Sequence, residues 1–392
     1  MAMCIPEWNR REFIRSTLVA GAAAAAVPVL AAPARAAVAP RKIALTNVRV
    51  FDGTALSAPR TVVIDNGLIG LSPLGAEQID GGGATLLPGL IDSHVHLENR
   101  ATLDALASYG VTTALDMGCF PPATVDALRH QQGATDIRSA GTPGVAPGSL
   151  QSQIPTFPAS GIVNGPGDAL RFVSARVAES SDYIKVIVDV PGLDQPTLTA
   201  IALAAHGFGK QVMAHATTAA AAKIALAAGI DMIHHVPLDA PLDAATVSSY
   251  RSRGAVAVPT LTMMEGFANL GIPGYSYASA ESSVGALRRA GVPILAGTDA
   301  NHTPGVPVHP AYGDSLHHEL ELLVAAGLGT AEALRSATSA PAQRFGLRDR
   351  GAVRPGYRAD LVLVGGDPIA DIRATRDVQR VWLAGVEHAP AS

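Results

Sequence analysis

The chain has 392 residues, with 29 Lys and Arg against 33 Asp and Glu, for a formal charge of −4. Charged residues make up 16%, below the roughly 25% of an average globular protein, and apolar residues 48%. That balance excludes an intrinsically disordered chain and a nucleic-acid binder. The two cysteines, Cys4 and Cys119, exclude a disulfide framework and a thiolate metal site.

The mean hydropathy of +0.25 fits either a membrane protein or a chain with a large buried core, and the N-terminus bears on the choice. Asn9-Arg10-Arg11-Glu12-Phe13-Ile14-Arg15 is followed by 19 uncharged positions, Ser16 to Ala34. This alanine-rich stretch is broken by Pro28 and closes on Ala34-Arg35-Ala36, an A-x-A cleavage pattern. Paired arginines before a weakly apolar core resemble a twin-arginine export signal over residues 1–36. An uncleaved anchor is the alternative, since 19 residues just reach across a bilayer; the interrupted, alanine-rich core speaks against it. Cleavage leaves a mature charge of −6, no stable membrane span, and a periplasmic or extracellular protein.

Lys42 to Asp52 is rich in β-branched residues, and Thr61-Val62-Val63-Ile64 runs into Asp65-Asn66-Gly67, a hairpin signal. From Leu86 onward apolar runs alternate with Ala-rich helical stretches. Eight runs read as strands: Leu90–His96, Val111–Met117, Asp136–Ala140, Tyr183–Val188, Gln211–Ala216, Asp231–Val236, Val256–Leu261 and Pro293–Ala300. Near-continuous apolar strands with helices between them predict an α/β fold, a (β/α)8 TIM barrel with both faces of its sheet covered. Leu361–Val364 and Val378–Gly385 return to β character. The expected organisation is a barrel over 86–349 and a small composite β-sandwich domain from the flanks 37–85 and 350–392.

Active sites of such barrels lie at the C-terminal strand ends. The first predicted strand ends His94-Val95-His96, and alternation turns both imidazoles to one side. The fourth carries Lys185 within an apolar run, the fifth ends on His215, the sixth on His234-His235, and the eighth on Asp299. Singly, each is an ordinary strand-end histidine, edge lysine or turn aspartate. Together they place imidazoles and a carboxylate at one barrel end, a donor set suited to Zn²⁺ or a similar ion.

Pro88-Gly89-Leu90-Ile91-Asp92-Ser93-His94-Val95-His96 resembles the opening signature of the amidohydrolase superfamily. The resemblance runs through Gly229–His235, Ala296–Asp299, Leu316–Leu323, Glu332–Thr338 and Arg354–Leu361. It is nearest the imidazolonepropionase-like and Xaa-Pro-dipeptidase-like branch. It implies two divalent metal ions, zinc by expectation, one held by His94, His96 and Asp299 and the other by His215 and His235. Lys185 would bridge them as an N-carboxylated lysine. Where this branch usually has Glu-His-Gly, this chain has His234, His235 and Val236. His235 matches the ligand position and alternation turns His234 away, with a shift of register by one as the alternative. The implied chemistry is attack of a metal-bridged hydroxide on a C–N bond, Asp299 moving the proton to the leaving amine. Ester, lactone or phosphotriester hydrolysis on the same site is the alternative, and a decarboxylase a more distant one.

The substrate is a small molecule, and the pocket loops say something about its charge. No Lys or Arg occurs in 141–170, 259–285 or 297–314, which leaves Arg100 as the only cation near the mouth besides Lys185. Anionic substrates usually need a cation, so a neutral, partly apolar amide is expected. Met263, Met264, Phe267, Tyr275 and Tyr277 after the seventh strand form either an apolar lid or ordinary packing. Tyr183, Met264, Phe267, Tyr275, His302 and His309 are the candidate substrate contacts. Composition neither requires nor excludes a homo-oligomer.

Overall fold

The computed structural model describes residues 41–391 apart from 155, 190 and 191, so the expected leader, 1–36, lies outside the described residues. Five strands come first: β1 (Ile43–Val50), β2 (Arg60–Asp65), β3 (Leu68–Gly70), β4 (Glu77–Asp80) and β5 (Thr85–Pro88). The predicted hairpin joins β2 to β3, with Asn66 at φ 50° and Gly67 at φ 80° supplying the two left-handed positions of its turn. Three strands close the chain: β13 (Leu361–Val364), β14 (Val378–Leu383) and β15 (Val386–His388).

Both flanks join one mixed eight-stranded sheet in the order β15-β14-β13-β5-β1-β2-β3, with β4 parallel to β1. Where a sandwich was expected, the hydrogen bonding follows this single continuous path. Its core gathers Leu45, Ile64, Leu86, Leu361 and Trp382, while Leu87, next to Leu86 and on the opposite face of β5, belongs to the larger core. β5 therefore joins the two cores.

Between the flanks lie β6 (Leu90–Val95), β7 (Val111–Asp116) and β8 (Asp136–Ser139) as one parallel sheet. A second parallel sheet comprises β9 (Ile184–Ile187), β10 (Val212–His215), β11 (Met232–His234) and β12 (Val256–Val258). Further hydrogen bonds connect them. The Gly144 amide donates to the Lys185 carbonyl (2.8 Å), and the Ile187 amide returns to Gly144 (3.0 Å). Segment 293–300, predicted as the eighth strand, makes isolated parallel bridges instead, Ile294 to Ala257 and Ala300 to Val95.

Alternation along these strands sorts the side chains. Ile184, Val186, Ala214, Ile233 and Ala257 pack in the main core, whereas Tyr183, Met213, Met232, Val256, Val258 and Leu295 form a separate inner cluster. Intervening helices start where side chains cap the first turn: Asn99, Asp194, Thr218 and Asp243 each accept a backbone N–H from the third residue on. Among the described residues no helix is long and apolar enough to cross a membrane.

Candidate functional site

Val95 packs in the main core, so its neighbours His94 and His96 both turn inward. Behind them the buried Asp92 carboxylate accepts from the His94 and Thr298 amides and from the Thr298 hydroxyl (2.7 Å). That network fixes segment 296–299 against β6. Gly297 is needed there, because a Cβ would lie 2.9 Å from the His94 amide nitrogen. Asp299 follows, and its Oδ1 lies 3.2 Å from His94 Nε2 and 3.0 Å from His96 Nε2. The three offer donor atoms all within 4.8 Å of one another, a geometry able to hold a metal ion. His96 Nδ1 lies 3.2 Å from the Gly118 carbonyl, which can only accept, so Nδ1 carries a proton.

Lys185 points inward from β9 beside Met213 of β10, 2% exposed. Its Nζ has no hydrogen-bond partner among the described residues, and neither do His234 Nε2 and His235 Nε2. A buried polar atom left unpaired costs about 1–3 kcal/mol, so several in one place mark a site built for something else. Burial pushes the Lys185 ammonium down to about 7, against the pull of Asp299, Asp116 and Asp189. Burial, helped by Lys185, also holds His94 and His234 well below the ordinary imidazole value; for His235 burial is helped first by His215. His96 goes the other way: burial opposes its charge, but the bond to Asp299, with Asp116 behind, outweighs that and raises it.

Alternation places His234 inward with Met232, contrary to the expectation that it faces away. It pairs across to His215 of β10, and its Nδ1 lies 3.0 Å from His94 Nδ1. His235 would then face outward, but φ 72° swings it back to the site. Its ring centroid lies 4.4 Å from His215 and 5.1 Å from His94, and its Nδ1 lies 2.7 Å from Thr260 Oγ1. Asp299 (φ 60°) and Thr260 (φ 49°) are also left-handed, so three non-glycine residues carry backbone strain where side chains are re-aimed. His215 Nε2 is engaged by Asp189, which also accepts from the Thr217 amide and hydroxyl, both at 3.0 Å.

The model of the Amidohydrolase family matches residues 85–387. The chain belongs to the amidohydrolase family. It is 27% identical over 358 residues to an adenine deaminase of Methanoregula boonei, a match covering 85% of this chain and 57% of that one. An imidazolonepropionase of Cereibacter sphaeroides is 36% identical over 125 residues, 31% of this chain and 27% of its own. A crystal structure of a Xaa-Pro dipeptidase with bound methionine superposes with a TM-score of 0.75 at 24% identity, covering 88% of this chain and 99% of that one. That likeness establishes the fold alone. The chain spans about half the length of the adenine deaminases it matches.

The mouth of this amidohydrolase corrects part of the expected substrate contacts. Tyr183 is 3% exposed, stacks edge-on against Phe345, and donates its hydroxyl to the Asp116 and Arg138 carbonyls, both at 3.0 Å. It shares the inward face with Lys185 but lies two residues deeper, as part of the packing. Met264 is 1% exposed within the helix Leu261–Asn269, where a loop was expected. Phe267 and Tyr275 are half-buried against the core. His302 is exposed, 3.7 Å from Glu98 and edge-on to Tyr312, while His309 Nδ1 bonds the Asn301 carbonyl (3.1 Å). Tyr312 ties this loop to the His94, His96 and Asp299 group by donating to the His96 carbonyl (2.6 Å). Arg100 is spent on Asp104, Gln131 and the Gln132 carbonyl.

Asp92, Asp116, Asp189 and Thr260 escaped the sequence reading. Asp116 and Asp189 each lie at or just past the end of a predicted strand, the same signal that identified Asp299. Thr260 carried no signal, because its role depends on how the His235 ring is turned.

Proposed function

We propose that this amidohydrolase is a metal-dependent hydrolase of C–N bonds acting on a neutral, partly apolar amide-type substrate. The observation that carries it is the convergence of His94, His96 and Asp299 beside the partnerless, buried Lys185 Nζ and His235 Nε2. These donors suit a divalent cation: the His94 and His235 imidazoles, which burial keeps neutral, the His96 imidazole and a carboxylate. His94, His96 and Asp299 would hold one ion, and His215 and His235 a second, His215 exchanging its Asp189 contact for it. Lys185 would bridge them once carboxylated. With its pKa near 7 a neutral amine is present at neutral pH; it adds to CO₂, forming an N–C bond and releasing a proton to give an anionic carbamate.

Bound divalent ions supply Lewis-acid polarisation and lower the pKa of water from about 15.7 toward about 7. Asp299 takes the proton of the attacking water and delivers it to the leaving nitrogen, a role worth about 10²–10⁴-fold. Segments 141–170, 259–285 and 297–314 carry no Lys or Arg, and Arg100 is turned to its own neighbours. A free substrate carboxylate is disfavoured there. The relatives named as adenine deaminases lend support, since that name denotes C–N chemistry.

In this reading the two parallel sheets and segment 293–300 close as the eight-stranded barrel of domain 86–349, beside a composite β domain from 37–85 and 350–392. Residues 1–36 export the folded enzyme and are removed; an exported protein whose N-terminal sequence begins in the leader would contradict this. The main test is a panel of aryl amides, N-acyl amino acids, dipeptides, lactones and phosphotriesters with Zn²⁺-, Co²⁺- and Mn²⁺-loaded protein. Turnover of uncharged amides is expected. Activity confined to lactones or phosphotriesters, or strictly dependent on a free carboxylate, would overturn the reading.

A further inference from the structure

The contact between His94 and His234 constrains which of them can hold metal. Their Nδ1 atoms lie 3.0 Å apart, the rings meet edge-on at 4.7 Å, and the side chains are 1% and 0% exposed. Two ring nitrogens at that distance share one proton, so one ring donates and the other accepts. A neutral imidazole carries a single N–H. The ring that donates from Nδ1 therefore has a bare Nε2, and the ring that accepts carries its proton on Nε2. As neutral rings, only one of the two can offer Nε2 to a cation.

The surroundings decide which. His94 Nε2 faces Asp299 and belongs to the cluster with His96. No atom of His234 belongs to that cluster. His235 has its Nδ1 at the Thr260 hydroxyl and its Nε2 unengaged. We propose that His234 is a positioning residue that accepts the Nδ1–H of His94, fixing that ring's tautomer and orientation for metal, while His235 serves as the ligand of that strand end. This rests on the metal-centre reading above.

The test uses the full chain loaded with zinc. Long-range ¹H–¹⁵N spectra of the histidine rings are expected to show the proton of His94 on Nδ1 and that of His234 on Nε2; the reverse pair overturns the proposal. Two variants separate the nitrogens. His234→Asn keeps an acceptor oxygen near the Nδ1 position, and His234→Leu removes it. In chelator competition the Asn variant should hold zinc within about threefold of the parent, and the Leu variant about 10–100-fold more weakly, the usual cost of losing a partner behind a ligand. Undiminished affinity in the Leu variant overturns the proposal. Equal loss in both overturns it too, and makes His234 a ligand. If the Leu variant does not fold, the spectra and the Asn variant decide. Zinc binding is read apart from turnover, so a chain with the expected tautomers that cleaves no amide overturns the hydrolase reading alone.

Discussion

Asp299 meets two demands, a left-handed backbone at φ 60° and a carboxylate between two imidazoles. A left-handed non-glycine residue costs roughly 1–2 kcal/mol, and Asn and Asp bear it best. Asp299→Asn should therefore keep the fold and the melting temperature while turnover falls about 10²–10⁴-fold. Undiminished turnover with metal content verified would remove Asp299 from the chemistry. At Lys185 the expectation is different. Lys185→Met fills the same buried space without an unpaired amine, so thermal stability should hold or rise. Elemental analysis should show the loss of one bound ion per chain, and unchanged metal content would exclude the bridging role.

The helix Leu261–Asn269 shows how an element can support a site from behind. Its first amides, Leu261 and Thr262, donate to the Glu319 carboxylate at 3.0 and 2.8 Å, and the Thr262 hydroxyl adds a third bond at 3.0 Å. Glu319 comes from the helix Asp314–Ala325 and is fully buried, and burial pushes its carboxyl up to about 7 despite these bonds. The folded chain thus binds an extra proton between the ordinary value of 4.5 and about 7. By linkage this contribution to stability is present below pH 4.5 and is lost as pH rises through about 7. Glu319→Gln should flatten that part of the profile, read as denaturation midpoints from pH 5 to 8; parallel profiles for the two proteins would contradict it. The strands were legible because buried parallel strands are continuous apolar runs: Val111–Met117 was expected and Val111–Asp116 is found. The helix Leu261–Asn269 was not, because its cap is supplied by a distant residue and Gly266 interrupts its pattern. That glycine answers a tertiary demand, since a Cβ would meet Val308 at 2.4 Å. His94, His96 and Asp299 were legible as strand-end polar residues. His234 was misplaced because the positive φ at His235 breaks the alternation on which its orientation was judged.

For the molecule as a whole, Arg350 joins the two parts. It donates to Asp136 (2.7 Å) and Thr113 (3.0 Å) of the parallel sheet and lies 3.8 Å from Asp360, just before β13. Its side chain is only 4% exposed, and Arg138 and Arg358 also face Asp136 and Asp360, so Arg350→Ala removes one of two cations at each carboxylate, a loss of about 1–3 kcal/mol. A lowered melting temperature with metal content intact in the cold is expected, because Asp136 begins β8 whereas the proposed ligands lie at the opposite strand ends. A variant that melts like the parent would show that the junction does not depend on this residue. The other tie is β5, which pairs with β1 on one side and β13 on the other, Pro88 opposite Leu361. During synthesis at about 5–20 residues per second, β5 waits on the order of ten seconds to a minute for that partner. Until then its backbone is an open template for any other extended chain. Ribosome stalling before β13 would therefore yield a nascent protein whose two parallel sheets are already complete in sequence and whose mixed sheet is still prone to pair with its neighbours, so aggregation during expression should depend on how fast the last strands are made.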